Sequence, residues 1–276
     1  PTNHAGTLEQ HIDRWIRQLS ADKDFAGFKE AQREIHPLGP GTRSWIVLFS
    51  DHGEEIGYVV AGAGDDGTFK LIEYGTGPYP LFSVNTLRQQ LVQSGLIHSD
   101  VRSTADLSDL RNRFDRVDMI YNDPFEAIWE IEQDGHVYRF DGKTGQPYDL
   151  DRPAESKSRW ETTLQLSYAD LKFAFAPVNG KYIDPYDHFN WLVTDPLPLD
   201  DAAFFIPLLD RAEPMTYLTS IFHDSVKAPF AITGYQSWNE STTMFLRMEH
   251  DGHRYIPLPV FQQFGEFYPA AIHPAP

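Results

Sequence analysis

Apolar positions in residues 7–19, TLEQHIDRWIRQL, recur at helical spacing, with Leu8, Ile12, Trp15, Ile16 and Leu19 on one face. Thr7 with Gln10 spells a capping box, so a helix is expected to begin there. A second helical pattern, FKEAQREI, groups Phe28, Ala31 and Ile35, and HPLGPG ends it. Strand-like runs follow at 44–50 (SWIVLFS), 55–62 (EIGYVVAG) and 68–75 (TFKLIEYG). Turn residues in DHGE and AGDDG separate them, which predicts a three-stranded antiparallel meander after a helix.

The order then recurs. SVNTLRQQLVQSG and ADLSDLRNRF read as helices, and DMIY, EAIWEIE and HVYRF as short strands. In EAIWEIE, Ala127, Trp129 and Ile131 point one way and Glu126, Glu130 and Glu132 the other, as on a half-buried sheet. A third pass reads residues 200–222 as helical pieces broken near Pro207 and Pro214, followed by strands in PFAITGY, TMFLRME and HRYIPL. EQDGHVYRF (132–140) and EHDGHRYIP (249–257) share Glu-x-Asp-Gly-His-x-Tyr, either a repeated hairpin or one turn solution reached twice. The Pro- and charge-rich GQPYDLDRPAESKS (145–158) places a boundary between 1–152 and 153–276. The expected fold class is α+β: repeated units of helix plus meander, then a C-terminal mixed α+β domain.

Composition narrows the function classes. Hydrophobic residues make up 41% and aromatics 14% of 276 residues, enough for a packed core. The net charge of −17 argues against nucleic acid and anionic lipid as partners, and serves solubility. With no cysteine there is no disulfide, thiolate metal site or cysteine nucleophile, though the count does not identify a compartment. No apolar run reaches the roughly 18 residues of a membrane span. The chain starts at Pro1, and a signal or anchor removed ahead of it would leave no trace.

Candidate chemistry is sparse. Gly62-x-Gly64-x-x-Gly67 has the spacing of a dinucleotide turn, but it leads into a strand pattern rather than the helix a pyrophosphate needs. Asp65 and Asp66 would also sit against the phosphates. Turn glycines are the better reading, and no cofactor is expected. His250 and His253 flank a turn and would need a further ligand to bind zinc or nickel; Glu249 and Asp251 do not supply a convincing one. Asp184, Asp187 and His188 in DPYDHFNW are the first suspects for a hydrolase acting on glycans or peptides, beside the ordinary reading of a loop with Asx turns. FHDSV has triad residue types at uninformative adjacency, and GYQSW is not a nucleophile elbow. In the aromatic stretch YGTGPYPLF, Tyr74, Tyr79 and Phe82 are candidates for a contact surface with a peptide or sugar.

The helix followed by WIVLFSDHGEEIGYVVAGAGDDGTFKLIEYG, and later AIWEIEQDGHVYRFDGKTGQPYDL, resembles PepSY-like, cystatin-like modules of the bacterial cell envelope over residues 7 to 150. The Asp-x-x-Thr-Gly ending of such modules is matched by Asp141, Thr144 and Gly145. The resemblance implies an extracellular or envelope-associated, non-catalytic binding or regulatory task, such as inhibiting or chaperoning a protease, with a protein or peptide partner. PFAITGYQSWNESTTMFLRMEHDGHRYIPLPVFQQFG is similar to the tail of papain-like peptidases of the bacteriocin-processing type, with Gly234, Tyr235 and Phe261 matching. The histidine position falls near Ala228-Pro229, so this likeness implies a dead site kept for binding. An acidic immunity or partner-neutralising protein is a further expectation, from the net charge of −17.

Overall fold

The computed structural model describes residues 7–98, 106–148, 157–175, 180–187, 189–198, 202–221, 226–240 and 243–270. The first helix, α1 (Leu8–Leu19), opens with the capping box of Thr7 and Gln10. A 3-10 turn (Lys23–Lys29) leads into β1 (Gln32–Leu38), β2 (Ser44–Asp51), β3 (Glu54–Ala63) and β4 (Phe69–Thr76). Helices α2 (Val84–Gln93) and α3 (Leu107–Arg113) precede β5 (Arg116–Asp123), β6 (Glu126–Gln133), β7 (His136–Asp141) and β8 (Pro147–Tyr148). Then come α4 (Lys157–Gln165), β9 (Phe173–Phe175), α5 (Asn190–Val193), α6 (Ala202–Asp210), β10 (Met215–Ile221), β11 (Val226–Trp238), β12 (Thr243–Glu249), β13 (His253–Pro257), α7 (Leu258–Phe264) and β14 (Gly265–Pro269).

Among the described residues, ten strands form one sheet in the order β1-β2-β3-β4-β13-β12-β11-β10-β14, with β9 on β11; β5-β6-β7-β8 form a second. Every pairing is antiparallel, and the large sheet joins strands from both sides of residue 153. This overturns the α+β expectation. The described residues are 42% strand and 26% helix, and so mainly β.

Two segments account for part of the difference. Residues of the expected helix FKEAQREI divide between the 3-10 turn and β1. An edge strand pairs on one side only and is largely exposed here, which erases the period-two signal. In the third pass α6 runs through Pro207, but MTYLTSI is β10, with Met215, Tyr217 and Thr219 buried on one face.

Alternation along β2, β3 and β4 splits their side chains between two cores. Val47, Phe49, Val59, Ala61 and Leu71 face α1 and the 3-10 turn, meeting Ile12, Trp15, Ile16, Phe25 and Phe28. Ile46, Leu48, Tyr58, Val60 and Ile72 face the second sheet and α2, meeting Met119, Trp129, Ile131, Leu87 and Leu91. Each fully buried side chain of this size contributes about 1.5–3 kcal/mol, so α1 owes its stability to its apolar stripe more than to its cap. A third core gathers Tyr217, Phe261 and Phe267 around Phe125, which enters from the β5–β6 turn. No helix among the described residues is long and apolar enough to cross a membrane.

Candidate functional site

The centre of the large sheet is the short seam where β4 meets β13, pairing Thr76, Gly75 and Tyr74 with His253, Arg254 and Tyr255. A Cβ on Gly75 would lie 2.6 Å from both the Tyr58 ring and the His253 carbonyl oxygen, so only glycine lets these groups close. On one side of the seam Tyr74 stacks on Tyr255 with ring centres 5.2 Å apart, and its hydroxyl donates to Gln236 Oε1 at 2.5 Å. On the other side Arg254 Nη2 donates to Glu73 at 2.9 Å and to the Pro124 carbonyl at 2.5 Å, and Nε donates to the Tyr58 hydroxyl at 3.1 Å. Burial raises the Glu73 pKa, and Arg254 and Tyr58 work against that rise. Burial also works against the Arg254 charge, but Glu73 outweighs it and the guanidinium pKa is raised. The two groups pair through these bonds, and the contact with the Pro124 carbonyl ties the β5–β6 turn to the main sheet.

Arg254, itself buried, also reaches the β12–β13 turn. Its Nη1 lies 3.2 Å from His250 Nδ1. A guanidinium only donates, so Nδ1 accepts and the ring proton sits on Nε2. Burial first, then the Arg254 and Lys143 charges, push the His250 pKa well below its usual value, and the ring is neutral at pH 7. His250 is part of the wall of a cleft of about 470 Å³. Tyr182, Asp184, Pro185 and Tyr186 form one side, Ala228 to Ala231 another, and the β12–β13 turn from Glu249 to Gly252 the third.

Local chemistry builds each wall. Asp184 makes an Asx turn, its Oδ1 accepting from Tyr186 N at 2.9 Å around Pro185. Asp251 and Gly252 take positive φ, 48° and 114°. Lys143 Nζ donates to the carbonyls of Asp251, at 2.9 Å, and Tyr79, which pins this turn to the second sheet. Burial pushes the Lys143 pKa down to about 8. Phe230 packs on the His250 ring with centres 5.0 Å apart. Glu249 accepts from Thr233 Oγ1, pairs with His253 Nδ1 at 2.8 Å and lies 3.2 Å from Arg247. Burial would raise its pKa, but the His253 and Thr233 hydrogen bonds and the nearby charges outweigh that and hold the carboxyl below its usual range.

The cleft brings together two stretches read separately in the sequence, DPYDHFNW and HDGH. Asp184 lines it, Asp187 is exposed one turn on, and His188 lies outside the described residues. His250 and His253 do not converge on one point, since each ring has its own partner, Arg254 and Glu249. Of the proposed contact residues, Tyr74 and Phe82 are 0% exposed and belong to the cores, whereas Tyr79 is 49% exposed. Phe222–Ser225, holding most of FHDSV, and residues 149–156, holding most of the expected boundary, lie outside the described residues.

The glycine corner joins β3 to β4. Gly64 N donates to Thr68 O and Gly67 N to Gly64 O, both at 3.0 Å, so these amides are spent within the turn. The two Asp-Gly-His hairpins differ in loop length. Gln133 pairs with His136 across two residues, and Glu249 with His253 across three.

Sequence reasoning missed Arg254, Glu73, Tyr182 and Tyr186, and a second charged cluster. Glu126 and Asp123 are buried beside each other, and Arg159 Nε donates to Asp123 Oδ2 at 2.5 Å. Burial and then the Asp123 charge push the Glu126 pKa up to about 7. The available signal for the seam was Glu73 and Arg254 amid apolar strand residues, where a charge demands a partner. No protein-family model matches the chain, and no curated protein matches it.

Proposed function

We propose that the protein is a non-catalytic binding and regulatory module that holds a protein or peptide partner in the tyrosine-lined cleft. The observation that carries this reading is how the polar groups of the cleft floor are spent. The only ring lone pair of His250 is taken up by Arg254, so it cannot serve as a general base, and a neutral imidazole is a poor acid. Glu249 is bound by Thr233 and His253 and kept ionised. What remains open is the faces of Tyr182 and Tyr186, 64% and 54% exposed, and the carboxylates of Asp184 and Asp251; Pro185 and Pro229 line the cleft but are buried. Exposed aromatic faces on the rim of a cleft suit recognition of an extended segment. The resemblance to envelope modules supports an extracellular or envelope-associated setting and a protease-inhibitory or chaperone-like task.

A selection of random peptides against the whole protein tests this. Binders are expected to lose affinity at least about 10-fold against a Tyr182→Ala, Tyr186→Ala double variant of unchanged melting temperature, and to be recovered intact. Binders indifferent to both substitutions would refute the cleft as the contact surface. The hydrolase alternative keeps one favourable observation, that Asp184, Glu249 and Asp251 share the cleft. Cleavage of a bound peptide or glycan that Asp184→Asn abolishes would establish it in place of the binding module.

A further inference from the structure

The cleft has a distinct polar signature. His250 Nδ1 is directed at Arg254, and Nε2–H, at the far edge of the ring, has no protein acceptor among the described residues. The cleft therefore offers one N–H donor, which suits a backbone carbonyl. Beside it stand two carboxylates, Asp184 and Asp251, with no cation paired to them among the described residues. Lys143 spends its ammonium hydrogen bonds on the Tyr79 and Asp251 carbonyls, so its charge acts on the Asp251 carboxylate from a distance and not through a direct pair. The Tyr182 hydroxyl registers the resulting field, its pKa raised first by burial and then by Asp184, Asp187, Glu249 and Asp251. Tyrosine faces next to unpaired carboxylates attract a cation by both routes. The chain as a whole, at net charge −17, attracts positively charged ligands.

We propose that the cleft takes an extended, positively charged peptide segment, with a backbone carbonyl on His250 Nε2–H and an arginine or lysine side chain between the tyrosine faces and the carboxylates of Asp184 and Asp251. This rests on the reading of the cleft as the binding surface and adds the chemistry of its occupant. The volume of about 470 Å³ lies within the roughly 300–1,000 Å³ of ligand pockets and suits a few residues of extended chain. His250 is the positioning group in this scheme, because Arg254 and Glu73 fix its tautomer from below. A neutral polyol such as a glycan would stack on the tyrosines and hydrogen-bond the carboxylates, but would leave their charge uncompensated.

The test is a titration of the full chain, followed by NMR, with blocked tetra-arginine and with tetra-citrulline, which keeps the shape and carbonyls but not the charge. Tetra-arginine is expected to shift the Tyr182, Tyr186 and His250 signals and to bind at least about 10-fold more tightly than tetra-citrulline. Asp184→Asn with Asp251→Asn should erase that difference, and raised salt should narrow it. His250→Gln, which keeps an N–H donor, should bind better than His250→Leu. Equal binding of the two peptides at the cleft overturns the cationic occupant and leaves the binding surface standing. Tetra-arginine binding that ignores every cleft substitution is attraction to the acidic surface and overturns the proposal. Peptides selected independently for affinity that also bind away from Tyr182 and Tyr186 overturn the underlying reading as well.

Discussion

At the scale of single residues, two positions carry more than their sequence context suggests. Gly252 has φ of 114°, and a Cβ there would lie 2.5 Å from the Thr76 carbonyl oxygen. Asp-Gly was legible as a turn from composition; that the turn is pressed against Thr76 and Gly77 was not, because those residues lie far off in sequence. Gly252→Ala is expected to cost about 2–4 kcal/mol, combining the backbone conformation with the clash, and to disturb the cleft wall. Urea unfolding measures the first effect and peptide affinity the second; an unchanged midpoint would mean that the turn is free to move. The Glu73–Arg254 pair gives a second residue-scale prediction. Glu73→Gln leaves a buried guanidinium without its counter-charge and is expected to cost about 3–5 kcal/mol. Glu73→Leu with Arg254→Met is expected to recover most of that loss in the same measurement, since two apolar groups need no partner. Both losses being equal would show that the ion pair is not the unit of stabilisation.

At the scale of elements, strong periodicity was readable and covered polarity was not. The helix at 8–19 and the strands at 44–51, 54–63 and 69–76 lie where the pattern put them, because each has one apolar face and clear turn chemistry at its ends. The strands 32–38 and 215–221 were lost, one at an exposed edge and one behind a proline break. In β6 the alternation of Ala127, Trp129 and Ile131 was read correctly as a core face. The opposite face is also covered, for Glu126 and Glu130 are 2% and 7% exposed. Arg159 from α4 sits over Asp123 and Glu126, and Arg116 and Arg139 clasp Glu130. A local window cannot supply partners from another strand or helix. The same contact between α4, β5 and β6 makes folding depend on pH. Glu126 has its pKa raised from 4.5 to about 7, so the folded chain keeps a proton that the unfolded chain releases. Its contribution, on the order of 3 kcal/mol, is complete below pH ~4.5 and lost as pH rises through about 7. Stability is expected to fall across that window by chemical denaturation at several pH values, and Glu126→Gln is expected to flatten the profile. A wild-type profile as flat as that of the variant would remove Glu126 as the titrating group.

At the scale of the whole molecule, the seam between β4 and β13 sets how the two halves of the large sheet behave together. It has a register of three residue pairs, against seven in β3–β4 and five in β12–β13, the ladders on either side. So short a ladder holds through side chains: the Tyr74–Tyr255 stack on one face and Glu73–Arg254 on the other. The Tyr74 hydroxyl also accepts from Trp238 Nε1 at 3.1 Å, which carries the contact on to β11. Both faces depend on the close approach at Gly75, where no Cβ stands between Tyr58 and the His253 carbonyl. With the seam intact, strands 32–76 and 215–269 share continuous cores and should unfold together. Tryptophan fluorescence and far-ultraviolet circular dichroism are then expected to report one coincident transition in urea. Gly75→Val wedges the seam open and is expected to split that transition, with the earlier phase reporting loss of the Tyr74–Trp238 contact. Because His250 receives its hydrogen bond from Arg254, which belongs to the seam, the same substitution should weaken peptide binding in the cleft before either half unfolds. A single transition in the Gly75→Val variant, with cleft affinity kept, would show that the halves are joined by something other than this seam.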